Sequence, residues 1–112
     1  MTLPSPYVMP GLPKRDQTPF DVILQTVGER YEVMPDMILS RSRARHVVAP
    51  RHLAMYLVRE MNGTSYKRIG QMFGGYDHSS VMHALDTVRG HIDAYPIFKS
   101  TVDNLIKNLR TY

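Results

Sequence analysis

Asp77-His78-Ser79-Ser80 places a carboxylate, an imidazole and two hydroxyls at consecutive positions. These are the groups of a nucleophile, base and orienter, but the spacing is wrong for that use. Neighbouring residues on a helix point about 100° apart, so they cannot line up as such a relay. Zinc binding fails on similar grounds. His83 lies five residues after His78, roughly 140° further round a helix, whereas paired ligands sit at i and i+4. With no Cys in the chain there is no thiolate ligand or nucleophile, and neither a catalytic residue nor a metal or cofactor is expected. What the tetrad can do is hydrogen-bond. Polar side chains at the first turn of a helix, after a short apolar helix and the break Gly74-Gly75, are the pattern of a helix-turn-helix facing DNA. The plain structural reading of Asp77 and Ser79 is helix capping, which is compatible with base contact.

The charge pattern supports nucleic acid. The net charge of +4 conceals three blocks. Residues 1–40 carry three basic side chains against five acids, residues 69–112 carry four against four, and residues 41–68 carry seven against Glu60 alone. That middle block (Arg41, Arg43, Arg45, Arg51, Arg59, Lys67 and Arg68) immediately precedes the polar tetrad. Concentrated positive charge of this kind neutralises phosphates and releases counterions.

The elements that position these residues read as helices throughout, giving an all-α fold. Residues 1–17, with Pro4, Pro6, Pro10, Pro13 and Gly11, show no apolar periodicity and are expected to be a flexible tail; residues 18–112 form the domain. Thr18-Pro19 is read as an N-cap followed by a first helical proline, opening a helix striped by Phe20, Ile23, Val27 and Tyr31. Pro35 ends it and starts a short turn of helix. The stretch Ser40–His46 is read as a loop or a helix end. Pro50 is read as the start of the third main helix, buried through Leu53, Ala54, Leu57, Val58 and Met61 and stopped by Asn62-Gly63. Ser65 caps a fourth helix with Ile69, Met72 and Phe73 apolar. A fifth, over about 77–93, buries Val81, Leu85, Val88 and Ile92, and after Tyr95-Pro96 a sixth aligns Phe98, Val102, Leu105 and Leu109. No apolar run approaches the roughly 20 residues of a membrane span, and Met1–Pro6 has no basic start, so neither membrane nor export is expected and a cytoplasmic, nucleoid-associated protein is the default.

Two segments, Val48-Ala-Pro-Arg-His-Leu-Ala-Met-Tyr-Leu-Val-Arg-Glu60 and Ile69-Gly-Gln-Met-Phe-Gly-Gly-Tyr-Asp-His-Ser-Ser-Val-Met-His-Ala84, resemble the C-terminal DNA-binding domain of the bacterial replication initiator DnaA. The likeness covers roughly residues 20–110. It implies a Trp repressor-like helix-turn-helix that binds double-stranded DNA as a monomer, at the short asymmetric DnaA box. It also implies base contacts from Asp77, His78 and Ser79, and a minor-groove contact from Arg43. Backbone contacts would come from Arg41, Arg45, Arg51, His52, Ser65, Lys67, Tyr76 and Ser80, and the likeness allows Arg59 or Arg68 to face DNA. His83 is assigned to packing under the turn. Lys67 stands where the family often has Pro, which favours phosphate over base. Tyr76 replaces a family Arg, and Ser79-Ser80 replace Thr-Thr, removing one charge and the methyl groups that can meet a thymine.

The full initiator has an ATPase domain, and this sequence contains no Gly-x-x-x-x-Gly-Lys-Ser/Thr loop. The expectation is a site reader without the motor, restraining initiation by competing with the full-length initiator, or regulating transcription. The alternative is a protein-interaction module that no longer reads DNA, supported only by Tyr76 and the proline-rich segment.

Overall fold

The computed structural model describes residues 18–111, and the expected tail lies outside them. Six helices follow in order: α1 (Phe20–Tyr31), α2 (Pro35–Ile38), α3 (Arg45–Asn62), α4 (Tyr66–Met72), α5 (His78–Ala94) and α6 (Pro96–Arg110), with no strand among the described residues. The helical periodicity is realised as expected. Ile23, Val27, Leu53, Leu57, Ile69, Phe73, Val81, Leu85 and Val102 are buried and make one continuous core.

The longest helix, α3, is the axis of the domain. It packs against α1, α2, α4 and α5, while α6 closes the far side against α5 and α1. Phe20 of α1 meets Phe73 edge to face at 5.2 Å, anchoring the start of the domain to the helix-turn-helix. Thr18 does not cap α1 with its hydroxyl. Its backbone N–H donates to Asn62 Oδ1 at 2.7 Å and its carbonyl accepts from Asn62 Nδ2 at 2.8 Å. Thr18 is thereby tied to the end of α3, where Gly63 supplies the left-handed cap at φ 67°.

The start of α3 differs from the sequence reading. The helix begins five residues before Pro50, at Arg45, and carries the proline internally. Pro50 forfeits one backbone hydrogen bond. Val47 and Pro50 itself are buried, and that packing holds the additional turn in place. Arg45 and His46 therefore belong to a helix N-terminus, and the loop before it shortens to residues 40–44.

Candidate nucleic-acid interface

The α4–α5 turn depends on three glycines. Gly74 and Gly75 both adopt positive φ, 103° and 101°, where a side chain would be strained. Gly70 accepts from the N–H groups of Gly75 at 2.8 Å and Tyr76 at 3.0 Å. The Tyr76 carbonyl lies so close to Gly70 that a Cβ there would collide with it. The turn then releases the chain into α5 with Asp77 as its cap.

At that cap Asp77 Oδ1 accepts the Ser80 N–H at 2.8 Å, and this bonding holds the carboxyl below the usual carboxylate range. Asp77 thus stays ionised and still has acceptor capacity, because a carboxylate can accept about four hydrogen bonds. Asp77, His78, Ser79 and Ser80 are all exposed. Ser65 caps α4 in the same way, accepting from the Arg68 N–H at 3.1 Å.

Beside the tetrad lies a groove of about 720 Å³ that gathers Lys67, Tyr76, Asp77 and His78. Tyr66, from the segment Ser65-Tyr66-Lys67 that resembles a backbone-contacting region, lines the same groove, as does Gln71, which was not among the residues picked from sequence. Gln71 is four residues after Lys67, so helical spacing could have identified it. His83 was assigned to packing under the turn, but it is exposed, as is Met82. Both lie one turn beyond Ser79 on the same side of α5.

The basic segment is organised by two arginines with different duties. Arg41 places its guanidinium over the Tyr76 ring, 4.4 Å from the centroid, and donates from Nη2 to the Gly74 carbonyl at 2.9 Å. It fastens the 40–44 loop to the turn while four of its five N–H donors remain for other partners. Arg51 corrects the sequence reading. It was expected on the DNA backbone, yet it is 4% exposed. Its Nε donates to Ile38 O at 2.8 Å, and its Nη2 donates to Ser40 O at 2.7 Å and Ser42 O at 3.0 Å. A buried guanidinium committed to three carbonyls shapes the loop from inside and does not face a phosphate.

Arg43 and Arg45 are exposed at the start of α3, and His52 is half-buried one to two turns on. These three line a second groove, separate from the one beside the tetrad. Burial, then the charge of Arg51 and then His83, lower the His52 pKa, so its imidazole is neutral at pH 7. Arg59 is half-buried, lies over the Tyr66 ring at 4.6 Å and donates to Thr64 O at 2.8 Å, whereas Arg68 is exposed.

Helices α1 and α2 carry an acid in the first turn, Asp21 and Asp36, the arrangement that complements the positive end of a helix. Helices α3, α4, α5 and α6 carry none there: Arg45 opens α3, Lys67 and Arg68 lie in the first turn of α4 and Lys99 in that of α6, while α5 has the carboxylate of its cap, Asp77. Arginine and lysine side chains at a helix N-terminus are electrostatically unfavourable in isolation and favourable against an external anion.

Comparison with known proteins identifies the family. The family described as bacterial DnaA protein helix-turn-helix matches residues 20–88. The chromosomal replication initiator protein DnaA of Symbiobacterium thermophilum is 40% identical over 88 residues, covering 79% of this chain and 19% of that protein. A solved crystal structure of a DNA replication initiation factor superposes with a TM-score of 0.74 at 30% identity, covering 82% of this chain and 28% of the other. This chain thus spans about a fifth of the length of that initiator. With its six helices, its glycine turn and this match over most of the described residues, the chain belongs to the bacterial DnaA helix-turn-helix family.

Proposed function

We propose that this domain binds double-stranded DNA at DnaA-box-like sites as a monomer, with the first turn of α5 in the major groove. Asp77, His78 and Ser79 face base edges, where a carboxylate accepts from cytosine N4 and a hydroxyl serves either partner of a pair. Arg43 enters the minor groove, and Arg41, Arg45, His52, Ser65, Lys67, Tyr76 and Ser80 approach the backbone. The observation that carries the reading is the exposed Asp77–Ser80 turn at the start of α5, beside the α4 first turn that holds Lys67 and Arg68 and no acid. Family membership supports DNA binding in replication initiation as the coarser statement. The regulatory outcome that follows is competition for the boxes of the full-length initiator, or transcriptional control from such a box. ATP chemistry is not assigned to these residues.

The test is fluorescence anisotropy of a labelled duplex carrying a DnaA box against a shuffled duplex across a salt series. A preference of about 100-fold, roughly 3 kcal/mol, supports site reading. Equal, steeply salt-dependent affinity for both would leave a non-specific basic binder. Absence of binding to either duplex would return the domain to the protein-interaction reading.

A further inference from the structure

The groove that holds Arg43, Arg45 and His52 offers more than charge, because an apolar floor lies beneath its basic rim. It encloses about 590 Å³ between α1, α3, α5 and α6. Its floor is apolar, formed by Leu53 and Val88, which are buried, and by Tyr31, Val48 and Phe98, which are half-buried. Its rim is cationic or neutral, with Arg43, Arg45, His52 and His91, and no carboxylate lines it. The ion pairs among the described residues, Arg89 with Asp86 and Lys99 with Asp103, use neither rim arginine. Phe98 and His91, 6.1 Å apart edge to face, close one side, and both lie beyond the family match that ends at residue 88.

We propose that this groove docks an acidic partner segment, a helix whose large apolar side chains fill the floor while its carboxylates meet Arg43 and Arg45. The volume falls within the range of real ligand sites and has room for two or three large side chains. Helix-in-groove recognition delivers anchors at i, i+4 and i+7 in this way. Charge decides between occupants. Residues 1–17 carry Lys14 and Arg15 against Asp16, so their charge does not complement the rim. A nucleic-acid strand matches the rim and can stack on Tyr31 and Phe98, but it leaves Val48, Leu53 and Val88 without a partner. An acidic segment carrying Leu or Phe satisfies both. Because Arg43 belongs to the rim, docking and minor-groove entry exclude each other, and the segment acts as an antagonist of DNA binding. That consequence, but not the docking itself, rests on the proposed DNA reading.

The experiment is amide NMR of the full chain titrated with a Glu-rich 16-residue peptide bearing Leu and Phe at helical spacing. One control peptide has Ala at the anchor positions and another has Lys in place of Glu. Shifts at Tyr31, Val48, Ala49, Val88 and Phe98, with both controls at least roughly tenfold weaker, are the expected result. Ala49→Glu is exposed, and on α3 it sets a carboxylate at i+4 from Arg45. This variant should keep its melting temperature and lose roughly tenfold in peptide affinity.

The proposal is overturned if about 1 mM peptide moves none of these residues, if the Ala control binds equally, or if Ala49→Glu binds as tightly. Tighter binding of a dT oligonucleotide in the groove would reassign it to single-stranded DNA, and shifts that grow with protein concentration alone would reassign it to a second copy. A labelled duplex added to the same titration separates the two readings. Peptide binding with no duplex binding upholds the groove and sinks the DNA reading. Peptide binding beside an undisplaced duplex upholds the groove and removes Arg43 from the DNA.

Discussion

Arg51→Met is the substitution that most sharply separates what the sequence suggests from what the fold does. If Arg51 met a phosphate, the change would leave stability alone and reduce the salt slope of DNA binding by about one. The structure gives a different expectation. The bond from Arg51 Nε to Ile38 O is buried at 2.8 Å, and a charged hydrogen bond of this kind contributes about 1.5–3 kcal/mol. The two bonds from Nη2, to Ser40 O and Ser42 O, are only part-buried. Water can replace them, so together they add on the order of 1 kcal/mol. Methionine preserves most of the apolar stem but leaves the Ile38 carbonyl without a donor. The net loss should be about 3 kcal/mol, a drop in melting temperature of about 15 °C for a domain of this size. Arg51→Lys keeps the charge but not the fork, and should lose about 2 kcal/mol. Urea unfolding of the three proteins reads both values. An Arg51→Met protein within about 1 kcal/mol of the parent, with a salt slope lowered by one, would refute the buried-clamp account and restore the phosphate contact.

Tyr76→Arg should steepen the salt slope by about one while removing the ring that Arg41 lies over, as a salt titration on a DnaA-box duplex would show. An unchanged slope would mean that position 76 does not face a phosphate. Gly70→Ala drives a methyl into the Tyr76 carbonyl, so a loss of about 1–3 kcal/mol is expected on denaturation, together with weaker DNA binding. A protein of parental stability would show that the turn relaxes freely. His52 has a folded pKa below that of a free imidazole, so the unfolded chain takes up its proton first as pH falls. Stability should therefore decline as pH is lowered through and below about 6.5, and His52→Gln should flatten that part of the profile. Asp77 acts in the same direction at lower pH. Its depressed pKa stabilises the start of α5 above the ordinary carboxylate range, and that contribution is lost as pH falls below about 4. In an unfolding series from pH 7 to pH 3, Asp77→Ala should remove the second decline and leave the first.

By itself the sequence determined the six helices, the turn and the charge block, because each is a local property. An apolar period near 3.6 specifies a buried face wherever the helix goes, and Gly74-Gly75 marks a backbone that few other residues tolerate. The glycine turn and the polar tetrad after it were legible for the same reason. Tertiary structure decided what each cation does. Arg41, Arg43, Arg45 and Arg51 are indistinguishable as a run of charge. One lies over a tyrosine, one is sealed onto carbonyls 9 to 13 residues away, and two stand free over an apolar groove. It likewise decided that α3 begins before its proline and that His83 is exposed, and it brought Tyr66 and Gln71 to the side of the tetrad. A guanidinium goes to carbonyl, ring or solvent according to which backbone the packing of α2 and the turn leaves unpaired, and local spacing carries no record of that.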